Sequence, residues 1–393
     1  MKCTRRRFML IPAPAALALI GLGPVSLRPA HAGSATPSPV ATPTTWDEVL
    51  QAGLDRGLPS VALRVEQGDQ VAFEGAAGYA STEKQTPVTP TDQFRIASTT
   101  KTFTSVLILQ QVDDGVLTLE DTVSHWLDDP VVAKIPYVDE ITVRQLLNHS
   151  SGVYDWFDEK SPFWQDAYFG EGADWTKVWT PQELLAYLDG DKQDPYFAPG
   201  KGVHYSNAGY FLLGMILEAA TGKSYADLLH ARITKPLGLT GTIYGATEPM
   251  PADVADAYHL IEGALVNVST INLSAYGAAA AIISTTQDLN RFIDALLGGK
   301  LLMPATLDEM LTFGPSDHPG FEAGLGIVRW TTPDGKAIGH SGDGPGCSAR
   351  MYQLEQSDLT VVLLANIGGN EDPVDATYVD AIQMALTAAA PGS

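Results

Sequence analysis

The sequence predicts a mixed α/β fold of the α+β kind: one antiparallel sheet built from both chain ends, flanked by helices, with an all-helical lobe inserted between its halves. Three observations point there. Strand-like runs occupy residues 60–78 and again 325–366, broken only by short turns, which force neighbouring strands to run antiparallel. Between them apolar residues recur at helical spacing. The 393 residues are 45% hydrophobic and 18% charged, so a sizeable core can be buried in one large domain or two ordinary ones.

The chain opens on a segment that reads as an address. Lys2, Arg5, Arg6 and Arg7 precede an apolar stretch from Phe8 to about Leu27, and Ala30-His31-Ala32 fits a small-x-small cleavage site. Pro12, Pro14 and Pro24 make that stretch a poor permanent membrane helix. Thr4-Arg5-Arg6-Arg7-Phe8-Met9-Leu10 resembles a twin-arginine signal. Residues 1–32 are therefore expected to be a signal peptide of an exported protein, periplasmic or extracellular, with an uncleaved N-terminal anchor as the alternative. Residues 33–45, small, uncharged and Pro-rich, read as a linker, and 46–390 as the folded domain.

In chain order, a helix is expected around Trp46–Gly57, then a hairpin of roughly Ser60–Glu66 and Val71–Gly78 turning at Gln67-Gly68-Asp69-Gln70. Thr99–Asp114 is an apolar helix that Gly115 can end. Thr180–Leu188 has Pro181 in its first turn and Glu183 nearby, a good start. Asn207–Thr221 stops at Gly222, and residues 286–297 precede Gly298-Gly299. The C-terminal strands are about Leu325–Thr331, Lys336–Ser341, Ser348–Glu355 and Leu359–Asn366, followed by a helix over about Pro373–Ala389. No internal repeat is visible.

Charge and cysteine content exclude several classes. The chain carries 24 Lys and Arg against 46 Asp and Glu; without the five basic residues Lys2, Arg5, Arg6, Arg7 and Arg28, 19 remain and the net charge is −27. Phosphate contacts need clustered cations, so a nucleic-acid partner is disfavoured. Cys3 leaves with the signal, so Cys347 has no intrachain partner and reads as a small buried hydrophobe. His149, His204, His259 and His318 lack metal-ligand spacing, and no glycine-rich phosphate loop follows a strand, so neither a metal nor a nucleotide cofactor is expected.

Three short elements carry chemistry. Ser98-Thr99-Thr100-Lys101 opens an apolar helix; positions i and i+3 share a face, so the Lys101 amine lies beside the Ser98 hydroxyl, which needs such a base to attack. Taken alone, Ser98 reads equally as a helix cap. A second match, Ser81-Thr82-Glu83-Lys84, runs into Pro87 and Pro90 and has no helix to fix it. Tyr205-Ser206-Asn207 offers a phenol that can relay protons, more readily if an ammonium lowers its pKa, and an amide that can orient the lysine. His340-Ser341-Gly342 ends a strand where glycine permits close approach, and the backbone N–H of Asp343 could join that of Ser98 as an oxyanion hole. Tyr205, Asn207 and His340 each have a plain packing role as alternative.

The set, in this order, resembles the penicillin-recognising serine hydrolases: class C β-lactamases, serine D-Ala-D-Ala carboxypeptidases and related esterases. Leu146-Leu147-Asn148-His149-Ser150-Ser151-Gly152, Phe197-Ala198-Pro199-Gly200 and Ser284-Thr285-Thr286-Gln287-Asp288-Leu289 are similar to family segments, so the resemblance spans most of residues 46–390. It implies a β-lactamase/transpeptidase-like fold, with Ser98 as nucleophile, Lys101 and Tyr205 sharing the base role, Tyr205 protonating the leaving group and Asn207 orienting. His340 stands where many members have lysine, which puts classical β-lactamase activity in doubt; Ser341 where they have threonine is a mild change. The expected activity is hydrolysis of a D-amino-acid peptide, a β-lactam or a small ester through an acyl-enzyme, with D-Ala-D-Ala carboxypeptidase-like chemistry favoured over an esterase; a non-catalytic binding or sensor module is the reading from another class.

One further expectation concerns a substrate carboxylate. If Asp334-Gly335 is a two-residue loop, Arg329 sits across from His340 and the two form a cationic patch, His340 contributing charge near or below neutrality. A turn with a bulge at Gly335, which Pro333 also suits, would slip that pairing by one residue.

Overall fold

The computed structural model describes residues 43–332 and 334–389. The expected signal segment, Cys3, linker residues 33–42 and Pro333 lie outside the described residues.

Helix α1 (Trp46–Asp55) begins where the Thr45 hydroxyl accepts the Glu48 N–H, and leads into β1 (Ser60–Gln67), β2 (Gln70–Ser81) and β3 (Thr86–Pro87). The chain returns to the same sheet as β4 (Gly314–Pro315), β5 (Phe321–Ala323), β6 (Val328–Thr332), β7 (Gly335–Gly344), β8 (Cys347–Leu354) and β9 (Leu359–Ala365). The sheet runs β3-β2-β1-β9-β8-β7-β6-β5-β4, every pairing antiparallel. The ends of the chain meet in its middle, where Val61 pairs with Ala365 and Gln67 with Leu359. This is the expected two-ended sheet.

Four helices position the site: α2 (Thr100–Asp113), α3 (Asn207–Thr221), α4 (Thr286–Leu297) and the C-terminal α5 (Glu371–Ala389). Side chains along β9 alternate between two cores. Val361, Leu363 and Ala365 pack with Val49, Leu50, Tyr378 and Ile382 under α1 and α5. Val362 and Leu364 face the larger core, where Phe103 of α2 stacks on Phe292 of α4 with ring centroids 3.6 Å apart. Helix α2 is buried from Thr100 to Gln111, which explains its apolar character all round. The insert between β3 and β4 is mostly helical. It also carries most of two small three-stranded sheets that the sequence did not signal, because their strands run only two to four residues. Among the described residues, no helix is long and apolar enough to cross a membrane.

The β6–β7 register departs from expectation. Thr332 pairs with Gly335, Arg329 with Ile338 and Val328 with Gly339, so the turn falls one residue earlier than an Asp334-Gly335 loop. Arg329 is thereby displaced along the strand from His340. Its guanidinium bonds Glu322 at 2.7 Å, with Glu355 at 3.7 Å, and lies over the Phe313 ring.

Candidate active site

Ser98 occupies a 3₁₀ turn (Ala97–Thr99) that runs into α2. Ala97, just before it, has φ +44°, the left-handed region that a Cβ disfavours; strain of about 1–3 kcal/mol is thus held at the residue that precedes the Ser98 hydroxyl. The Cys347 sulfur lies against the Ala97 backbone, and burial pushes that thiol up to about 12, so it stays protonated and serves as packing.

Lys101 projects from the first turn of α2 and is completely buried. Its Nζ lies 3.0 Å from Ser98 Oγ, 2.8 Å from Asn207 Oδ1 and 3.1 Å from the Ala279 carbonyl. Two of these partners can only accept. A neutral amine has two N–H groups, which they satisfy, and its lone pair then faces the Ser98 O–H. Burial brings the ammonium down to about 7, against an upward pull from Asp155, so the neutral form is available near neutrality.

Asp155 was not singled out by sequence. Its Oδ2 accepts the Asn207 backbone N–H and Asn207 Nδ2, each at 2.8 Å, and its Oδ1 accepts the Phe157 N–H at 3.0 Å. The amide of Asn207 is thereby held with its oxygen toward Lys101. The available signal was an aspartate close behind Leu146–Gly152, with no spacing rule to mark it.

Tyr205 precedes α3 and stands beside Lys101, whose Nζ is 4.7 Å from its ring centroid. The expected depression of its pKa is corrected: burial raises the phenol well above its ordinary value, opposed by the Ser98 hydroxyl that bonds it. It therefore remains a proton donor. His149 stacks near Tyr205 with centroids 4.3 Å apart, accepts the Ser206 N–H at Nδ1, and is held uncharged by burial and the Lys101 charge. Its spacing marks no metal site, yet it lines the cleft.

His340, Ser341 and Asp343 come to the same place on β7. The cationic patch is corrected here as well: burial, with Lys101 nearby, holds His340 down to about 3, and its Nδ1 is 2.5 Å from the Ser341 carbonyl. The ring is neutral across the working range, and Arg329 is not beside it. Gly342 is required by close approach: a Cβ there would lie 2.1 Å from the Ile96 carbonyl and 3.1 Å from Ser98 N. Gly344 and Cys347 flank the two-residue hairpin loop Pro345-Gly346 as a hydrogen-bonded pair. Alternation then turns the backbone groups of Ser341 and Asp343 away from β8, to the edge that β6 leaves uncovered beyond Gly339. The Asp343 carboxylate bonds Arg350 at 2.9 and 3.1 Å, and Arg350 also bonds Asp375 at 2.6 Å, which anchors this edge to α5.

Two cavities meet at Ser98. One of about 560 Å³ is lined by Tyr205, His149, His340, Asp317 and Val328 among others. The other, about 350 Å³, is lined by Asn207, Arg95, Tyr276 and Cys347 among others. Ser81 of the second Ser-x-x-Lys match ends β2, and its hydroxyl accepts the Lys84 N–H in a turn remote from both cavities. Among the described residues, no group of three His, Cys, Asp or Glu is placed to hold a metal.

Residues 46–384 match the family model described as Beta-lactamase. A D-stereospecific amidohydrolase from Streptomyces sp. superposes with a TM-score of 0.73 at 32% identity, covering 84% of this chain and 96% of that one. The D-amino acid amidase from Ochrobactrum anthropi SV3, complexed with L-phenylalanine, gives 0.75 at 28% identity, covering 86% and 97%. Penicillin-binding protein 4* of Bacillus subtilis (strain 168) is 29% identical over 77% of this chain and 67% of its own length. The chain spans about two thirds of the length of the curated relatives it matches.

Proposed function

The chain belongs to the Beta-lactamase family, and on that premise we propose that it hydrolyses amides of D-amino acids or D-peptides through an acyl-enzyme on Ser98. The observation that carries this reading is the environment of Lys101: a buried amine, lowered to about 7, with two carbonyl acceptors and the Ser98 hydroxyl around it. Lys101 takes the Ser98 proton as Oγ attacks the carbonyl carbon. The oxyanion is received by the backbone N–H groups of Ser98 and Asp343. The proton then passes from Lys101 through the Tyr205 phenol to the leaving nitrogen, the C–N bond breaks, and water attacks the ester by the reverse route. Asn207 keeps the amine aimed. The activities named for the two structural neighbours support a D-amide substrate.

Carboxypeptidase-like cleavage after D-Ala-D-Ala, favoured on sequence, is the second reading; the penicillin-binding relative supports it. A silent binding module has no use for a base tuned in this way. The test is Ser98→Ala: labelling by a fluorophosphonate or a tagged penicillin, read by intact mass, should vanish while the fold persists, whereas Ser81→Ala should label normally. An adduct on the Ser98→Ala protein would overturn the assignment. Turnover of D-amino-acid amides, D-Ala-D-Ala peptides, nitrophenyl esters and nitrocefin then ranks the substrate classes.

Export by the twin-arginine route, with residues 1–32 removed, is part of the same proposal; Arg5, Arg6 and Arg7 before Phe8 motivate it. Mature protein should begin near Gly33, and export that survives replacing all three arginines by lysine would refute the route.

A further inference from the structure

The larger cavity is where the leaving group goes, because Tyr205, the group that protonates it, lines that cavity and not the smaller one. Its charge is lopsided. No lysine or arginine is among its lining residues. His340 and His149 are held neutral by burial. Arg329 and Lys336, on the adjoining strands, are both bonded to Glu322. Asp343 has its charge matched by Arg350. Asp317 is the exception. Its Oδ2 accepts the Tyr205 backbone N–H at 2.7 Å, which fixes a carboxylate at the wall next to the proton donor, and the His318 ring, pushed below its ordinary pKa chiefly by burial, lies 3.8 Å away.

We propose that this cavity selects leaving groups without negative charge, Asp317 being the residue that sets the preference: the enzyme releases ammonia, neutral amines or amines bearing a further cation, and discriminates against fragments ending in a carboxylate. The inference rests on the acyl-enzyme reading above and narrows it. During acylation the Ser98 Oγ–C bond forms and the C–N bond breaks. The nitrogen takes the proton that came from Ser98 through Lys101 and Tyr205, and departs as a neutral amine. A carboxylate on that departing fragment would approach Asp317 across a pocket whose lining residues include no lysine or arginine, at a cost of roughly tenfold in rate for like charges some 6–8 Å apart in a partly solvated site.

The test uses three aryl esters of one acyl group, identical except for a meta carboxylate, carboxamide or trimethylammonium on the leaving ring. Acylation rates of Ser98 are measured by burst kinetics, each divided by that ester's hydroxide rate. The cationic and neutral esters should lead the carboxylate by roughly tenfold, added salt should shrink the gap, Asp317→Asn should reduce it to about twofold, and Asp317→Glu should keep it. Equal rates in the native enzyme, a preference for the carboxylate, or an unchanged gap in Asp317→Asn would each overturn the proposal. Failure of all three esters to acylate Ser98 would instead overturn the acyl-enzyme reading beneath it.

Discussion

Asp155→Asn isolates the carboxylate that sets the Lys101 charge. In the native protein Asp155 pulls the Lys101 ammonium upward against burial, with the balance at about 7. The two groups are linked through one amide: Asp155 to Asn207 Nδ2 at 2.8 Å and Asn207 Oδ1 to Nζ at 2.8 Å. Adding the width of the amide puts the charges no more than about 8 Å apart, worth ~2 kcal/mol at an effective dielectric near 20. That is between one and two pH units on the lysine. The sign is fixed: removing a negative charge destabilises the ammonium, so the neutral base survives to lower pH. Acylation of the native enzyme should fall about tenfold for each pH unit below the limb at about 7. In Asp155→Asn the limb should move down, toward pH 5–6. The isostere keeps an oxygen for the Asn207 N–H and Nδ2 and loses only the acceptor of the Phe157 N–H, so the fold should survive the loss of one hydrogen bond. The assay is the second-order rate of penicillin or fluorophosphonate labelling as a function of pH. A limb that stays in place, or moves up, refutes the assignment of Lys101 as base or of Asp155 as its charged neighbour.

Two further outcomes follow from the same geometry. Gly342→Ala must push β7 away from the Ile96 carbonyl, which its Cβ would meet at 2.1 Å, so kcat/KM should drop at least about a hundredfold from a displaced oxyanion donor while circular dichroism stays native-like; a fully active variant would show that β7 does not form part of the oxyanion site. Arg329→Ala should change KM equally and little for substrates with and without a free carboxylate, and a selective rise for the carboxylate substrate would restore the discarded cationic patch.

The sequence shows most of the scaffold because its signals are local. Thr180 and Glu183 form the capping box their spacing announces, with Pro181 in the first turn, and Gly222 ends α3 in the left-handed conformation. Ser98, Lys101, Tyr205 and Asn207 were found because each sits at a helix start with a recognisable neighbour. What escaped depends on contacts between distant segments. Arg329 falls two residues from the place its sequence predicts because a hairpin of this composition can turn at two places, and moving the turn by one residue shifts every partner on the facing strand by two. His340 was given a charge because a histidine in a sequence shows its ordinary pKa and not its burial. Asp155 and Asp317 carry no motif; they matter only because folding sets one against Asn207 and the other against the Tyr205 backbone.

The central pairing of β1 with β9 also fixes a timetable. Val61 must wait for Ala365, about 300 residues later, which at ribosomal speeds of 5–20 residues per second is roughly 15 to 60 s of synthesis with an apolar strand edge unpaired. Until then β1 and β2 form a lone hairpin whose edge can template aggregation, and a chaperone has reason to hold it. Ser98 meets the edge of β7 only after that strand has been anchored by β8 and α5. A nascent or truncated chain therefore holds Ser98 and Lys101 without the β7 edge beside them, and the candidate site is completed in one late step, together with the closure of the sheet.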